Sequence, residues 1–364
     1  MSTHRSGFRT VAAAARARRS PWRTRLGAAA IAAIAWAGQT ASPACAADSG
    51  LLKDLVFADH SAVASTAELA RRLLTPLAYA RLRPHLAETR AEPVDLAAER
   101  FVVYVPAGAP PPRGYGLLVF IPPWPEASLP NGWPRVLDRH SVIFVSAARS
   151  GNDADTFDRR IPLALLGYEN IRRRYRLDPD RTYVGGLSGG SRVALRVALA
   201  YPDLFRGALL NAGSDPVGAD GIALPPLELV HRFQTSTRIA YLTGDRDEVN
   251  VHNDLVSRTS LRDTCVFGVT SLTMPRRGHA IADAAGLERA LDALEAPNEI
   301  NAADLARCRA GLHREIAAKT AKAEAALDAG QRERAAALVK TIDERYGGLA
   351  GPAILSIWSR LGEH

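Results

Sequence analysis

Cysteine is scarce in this chain, with three residues in 364 and none in a C-x-x-C pair. That excludes a disulfide-dense scaffold, and because the nine histidines are also scattered, no zinc-type Cys/His spacing is present. Neither a metal site nor a cofactor is expected. Long apolar runs are missing too: Leu26 to Gly38, at thirteen residues, falls short of the ~20 a membrane-spanning helix needs, and no later segment does better. Acidic residues are absent from residues 1–47, which hold seven arginines; these account for nearly all of the net charge of +8 and leave 48–364 close to neutral at +1. A basic balance confined to one end gives no support to nucleic-acid binding, which needs a basic surface on the folded domain.

What residues 1–47 do contain reads as an export signal: an arginine-rich start to Arg25, the short apolar stretch from Leu26, and an A-x-A site at Ala44-Cys45-Ala46, with cleavage near Ala47. The expectation is a periplasmic or extracellular protein with no stable membrane insertion after cleavage. Arg18-Arg19 fits a twin-arginine signal except for Pro21, and Cys45 fits a lipid-attachment cysteine except for Ser42. Removal of the signal leaves Cys265 and Cys308, a pair that an oxidising compartment would join, the alternative being two buried thiols.

The rest divides by pattern into a helical lead-in (48–94), a large α/β domain (95–296) and a helix-rich C-terminal segment (297–364). Ser61 to Arg90 is amphipathic and helical, broken at Pro76 and Pro84. Phe101–Val105, Leu117–Ile121, Ser141–Ser146, Tyr183–Val184, Gly207–Gly213, Arg238–Gly244 and Cys265–Met274 read as apolar strands, alternating with helical stretches. Continuous apolar strands spaced by helices predict a mostly parallel sheet covered on both faces, with ligands at the carboxyl ends of the strands. The alanine- and charge-rich tail predicts a C-terminal helical hairpin; "ALDAGQRERAA" looks like one tetratricopeptide turn, too few for a repeat array.

The chemistry is concentrated around Gly186-Leu187-Ser188-Gly189-Gly190, a G-x-S-x-G pattern after a strand and before a helix that stops at Pro202. Small residues on both sides let a strand turn abruptly into a helix and present the serine. The rival, a phosphate-cradling loop, would need a following Gly-Lys pair that is missing. A serine becomes a nucleophile only with a base to take its proton and an acid to orient that base. Downstream, Asp245, Asp247 and Glu248 follow one strand and His279 follows the last, in the order Ser, acid, His. His231 and His252 are weaker candidates for lining such a site.

"DPDRTYVGGLSGGSRVALRVALAYPDLFRGALLNAG", "YLTGDRDEVN" and "TMPRRGHA" together resemble the α/β-hydrolase superfamily, and within it secreted esterases of the polyhydroxyalkanoate depolymerase and feruloyl esterase type, over residues 95 to 296. The resemblance implies an α/β-hydrolase fold and a Ser188–His279–Asp247 triad, since the acid in such families lies three residues after the glycine ending its strand. It also implies an oxyanion hole from the backbone N–H of Gly189 and of a residue after the Leu117–Ile121 strand. Where relatives carry His-Gly, this chain has Pro122-Pro123-Trp124, so Trp124 is the first residue with an N–H to give. Trp133 and Asn152 are candidate substrate-pocket residues. The implied activity is serine hydrolysis of a small or polymeric carboxylic ester, against two alternatives: a peptidase of prolyl-oligopeptidase type, or a non-catalytic binding protein on a hydrolase fold.

Overall fold

The computed structural model describes residues 49–219 and 221–362. The expected signal segment and its cleavage site lie outside them. Eight strands form a single sheet: β1 (Gly50–Leu55), β2 (Phe101–Val105), β3 (Tyr115–Ile121), β4 (Val142–Ala147), β5 (Leu177–Leu187), β6 (Gly207–Asn211), β7 (Arg238–Gly244) and β8 (Val269–Met274). They lie in the order β1-β2-β4-β3-β5-β6-β7-β8. β1 and β2 are antiparallel to their neighbours, and every pairing from β4 through β8 is parallel. β2 to β7 are buried almost throughout, as strands covered by helices on both faces must be.

The helices are α1 (Thr66–Leu73), α2 (Pro76–Leu82), α3 (Trp133–His140), α4 (Ile161–Arg174), α5 (Gly189–Ala200), α6 (Leu227–Ser236), α7 (Glu248–Asp263), α8 (Ala284–Glu295), α9 (Ala302–Asp328), α10 (Arg332–Tyr346) and α11 (Gly351–Arg360). They split the core into two hydrophobic clusters: the side chains of α3 and α8 belong to one, those of α4, α5 and α6 to the other. This is the α/β-hydrolase fold that the sequence led us to expect.

Two expectations need correction. The lead-in is not purely helical: Gly50–Leu55 forms the edge strand β1, whose alternating exposure reflects one covered face. The tail is more than a hairpin: α9 and α10 pair around Gly330, where a φ of 74° suits a residue without Cβ, and α11 then packs back on α9, α10 and α2. The lead-in and tail pack on the α/β domain, since one hydrophobic cluster contains Phe57 and Leu69, Val184 and Leu210, and Leu312 and Ile316 together. Arg72 ties the lead-in to the body by pairing with Asp203 at 2.6 Å and lying 4.5 Å over the Tyr201 ring. Asp343 of α10 accepts a hydrogen bond from Leu77 N at 3.2 Å. Cys265 and Cys308 form the expected disulfide, joining the end of α7 to α9. No helix among the described residues is long and apolar enough to cross a membrane.

Candidate active site

Because β3, β5, β6, β7 and β8 run parallel, their carboxyl ends share one edge of the sheet, and each candidate residue follows one of them. Ser188 sits between β5 and α5 with φ 56° and ψ −121°, a conformation a non-glycine residue adopts only when its surroundings enforce it. The enforcement is visible in the flanking glycines. A Cβ on Gly186 would lie 2.3 Å from the Gly190 carbonyl carbon, one on Gly190 1.9 Å from Ile121 O, and one on Gly213 2.4 Å from Ser188 O. The turn is therefore clasped between the ends of β3 and β6, with no room for side chains at those points. Ser188 N donates to Asn211 O at 2.9 Å, fastening the turn to β6.

Of the three acids after β7, Asp245 and Glu248 are exposed and Asp247 is buried. His279 Nδ1 donates to Asp247 Oδ2 at 2.7 Å. Asp247 caps α7 and also takes hydrogen bonds from Asn250, whose Nδ2 is 2.9 Å from each carboxylate oxygen. Burial works to raise the Asp247 pKa, but the bonds from His279 and Asn250 outweigh it and hold the carboxyl below its ordinary value. It is thus ionised and aimed at the imidazole, which fixes the tautomer with Nε2 free to take a proton. The Ser188 hydroxyl makes no hydrogen bond among the described residues, to His279 or to any other group.

The loop after β3 lies against the serine turn: the Gly190 position abuts Ile121 O and Pro122. Arg160, buried, holds this loop by donating to Pro122 O at 3.1 Å and to Ser150 O at 2.9 Å. Trp124 is half-buried, and neither its N–H nor that of Gly189 donates a hydrogen bond among the described residues. Asn152 donates its N–H to Pro123 O at 3.0 Å, and its Oδ1 would be 2.2 Å from a Cβ on Gly189, so it stands directly beside the expected oxyanion donor.

Trp133 is not a pocket residue. It has no exposed surface, packs edge-on against Phe120 and Phe144, and donates Nε1–H to Ala282 O at 2.8 Å. It anchors the segment just after His279 instead. His231 and His252 are also away from the pair: His231 lies beside His313 of α9, ring centroids 6.3 Å apart, and His252 is exposed on α7.

Two residues with no sequence signal organise the site. Asn250 is one. The other is Asn211, buried at the end of β6, whose Nδ2 donates to Leu242 O at 3.0 Å and Ala280 O at 3.2 Å while Oδ1 accepts from Ala282 N at 2.8 Å. With its own carbonyl holding Ser188 N, Asn211 joins the serine turn, β7 and the His279 loop. Elsewhere, His140, Glu288 and Asp292 bring potential metal-ligand atoms within 4.8 Å of one another. There Arg139 pairs with Glu288, and Arg181 and His140 pair with Glu295, so these charges are already compensated.

No family model and no curated protein matches the sequence. Solved structures do. The chain is similar to a Bacteroides ovatus protein described as a dipeptidyl aminopeptidase IV (17% identity, TM-score 0.40, over 53% of this chain and 33% of that one). It is similar to a ferulic acid esterase (17%, 0.38, over 53% and 88%). A third likeness is to a poly(3-hydroxybutyrate) depolymerase from Bordetella parapertussis (18%, 0.40, over 58% and 88%). The chain thus spans a third of the first of these. Such overlaps concern the fold and carry no argument about substrate.

Proposed function

We propose that this chain is a serine hydrolase acting on carboxylic esters. One observation carries the reading: a 2.7 Å pair between a buried carboxylate and His279 stands at the same sheet edge as a serine held at positive φ in a turn closed by glycines. In this reading Ser188 Oγ attacks the ester carbonyl and passes its proton to His279 Nε2, while Asp247 stabilises the imidazolium. The Gly189 and Trp124 N–H groups receive the developing oxyanion. The imidazolium then protonates the leaving alcohol, and a water deprotonated by the same imidazole releases the acid and restores the serine. Export is part of the proposal; the N-terminal pattern and the Cys265–Cys308 disulfide support it, since such bonds persist in oxidising compartments.

The test is fluorophosphonate labelling of the mature protein beside Ser188→Ala and His279→Ala, followed by turnover of short p-nitrophenyl esters and peptide amides. Labelling that disappears in both variants, with esters cleaved faster than amides, is the expected result. A folded wild type that takes no label would favour the binding-protein reading, and faster amide cleavage the peptidase.

A further inference from the structure

Helix α5 is buried almost throughout; only Gly189, Arg192 and Arg196 along it are not. With Ser188 as its N-cap, positions 188, 192 and 196 follow one another at intervals of four and share one face. At 1.5 Å of rise per residue the two arginines stand roughly 6 and 12 Å beyond the nucleophile along the axis. A cavity of about 340 Å³ opens on this face, its walls including Asn152, Phe157, Arg160, Gly189, Arg192 and Arg196. It therefore runs from the residue expected to hold the oxyanion to a group of guanidiniums.

The charges there do not cancel. Arg196 is paired with Asp215 at 2.6 Å. Arg160 is buried and bonded to two carbonyls, with Asp153 the carboxylate that acts on it. Arg192 approaches Asp215 only to 3.6 Å, makes no side-chain hydrogen bond among the described residues, and has 42% of its side chain exposed. Three guanidiniums thus line the cavity with one carboxylate, Asp215, and the donors left over belong to Arg192. A pocket for a plain alkyl or aryl group gains nothing from an unspent guanidinium on its wall, since apolar groups prefer apolar walls. A carboxylate does gain, because the planar fork of arginine donates two parallel hydrogen bonds to it.

We propose that this cavity binds a carboxylate carried by the substrate, making the preferred esters half-esters of dicarboxylic acids or chains ending in a carboxylate, with Arg192 as the specificity-determining residue. The inference rests on the ester-hydrolase reading above. Water adds across the one ester bond, and the acid product leaves with both its carboxylates. Arg196, fixed by Asp215, supports the positive potential from one turn further on.

The experiment compares mono-p-nitrophenyl glutarate with p-nitrophenyl pentanoate, a neutral ester of the same chain length. The readout is the ratio of their kcat/KM values in the wild type, Arg192→Gln and Arg192→Lys. The ratio is expected to fall about tenfold in Arg192→Gln, the size of one charge-assisted hydrogen bond, and to recover in part in Arg192→Lys. It should also fall on raising salt to about 0.5 M, which screens a partly exposed charge. A ratio unchanged by Arg192→Gln overturns the inference while leaving the hydrolase reading intact. If neither ester is cleaved and no fluorophosphonate label is taken, that reading has failed, and glutarate binding by calorimetry decides the cavity separately. Binding weakened in Arg192→Gln supports the site, and binding that is absent or insensitive to Arg192 overturns it.

Discussion

Asn250 reaches both carboxylate oxygens of Asp247 from the first turn of the helix that Asp247 itself caps, with Nδ2 2.9 Å from each. The amide, whose Nδ2 also lies 3.1 Å from His279 Nδ1, therefore restrains the carboxylate beside the imidazole and helps to keep it ionised. In Asn250→Ala the buried carboxylate loses a donor, which should cost roughly 1–3 kcal/mol of stability. Its pKa should rise, so acid unfolding of the variant should begin at a higher pH than that of the wild type, because the stability contributed by a depressed carboxylate is lost as pH falls through its folded value. An unchanged acid-unfolding midpoint in Asn250→Ala would show that the amide does not hold the Asp247 pKa down.

Gly190 offers a steric test of the serine turn. A Cβ there would meet Ile121 O at 1.9 Å, so Gly190→Ala must push β3 and the oxyanion loop away from α5. The expected result is loss of ester turnover with about 1–3 kcal/mol of destabilisation from overpacking. Gly311→Ala, whose Cβ would meet nothing closer than 3.9 Å, should instead stabilise α9 by about 0.5–1 kcal/mol, as alanine does in a helix. Urea unfolding of the two variants gives opposite signs if the account of the turn is right.

His140 links α3 to α8, which follows the His279 loop. Its bond to Glu295, 2.9 Å from Nδ1, raises its pKa above 6.5 against the cost of burial, with Glu288 adding in the same direction. Asp292, Arg139 and Arg181 also face this cluster. Because the folded pKa is raised, the stabilisation is fully present below 6.5 and is lost as pH rises through the folded value. The melting-temperature advantage of the wild type over His140→Gln should accordingly be greatest in mild acid and shrink in alkali. An advantage independent of pH would remove the imidazolium from the explanation.

The disulfide closes a separation of 43 residues, for which the chain-entropy model gives about 4 kcal/mol. Cys308→Ser should lower stability by up to that amount, and limited proteolysis should then cut within α9 before it cuts the sheet. A variant as protease-resistant as the wild type would mean that packing alone holds the tail.

The sequence made the serine turn legible because its requirement is local: a forced backbone leaves glycines at fixed offsets. His279 was singled out by its place after the last strand, and Asp247 was chosen among three neighbouring acids by the family resemblance; the structure pairs the two. Asn211 was not, because its partners Ala280 and Ala282 lie 69 and 71 residues away and no neighbouring pattern marks it. Asn250 looks like an ordinary polar residue in a helix until the buried carboxylate it holds is seen. β1 escaped as a short edge strand whose exposed positions, Leu51, Lys53 and Asp54, mix apolar and charged residues. Trp133 was misplaced for a related reason: an aromatic near a strand end fits a pocket wall as well as the first turn of a buried helix, and its complete burial and its bond to Ala282 O separate the two.

Asn211 also bears on how activity should be lost on heating. His279 sits on an exposed loop, and such loops commonly open on their own well below the global transition. Here the segment just after His279 is hydrogen-bonded to the end of a central strand that also holds Ser188, so it shares the opening free energy of the sheet. Inactivation and melting of the sheet should therefore coincide as one cooperative event, with no temperature range in which a folded but misaligned enzyme accumulates.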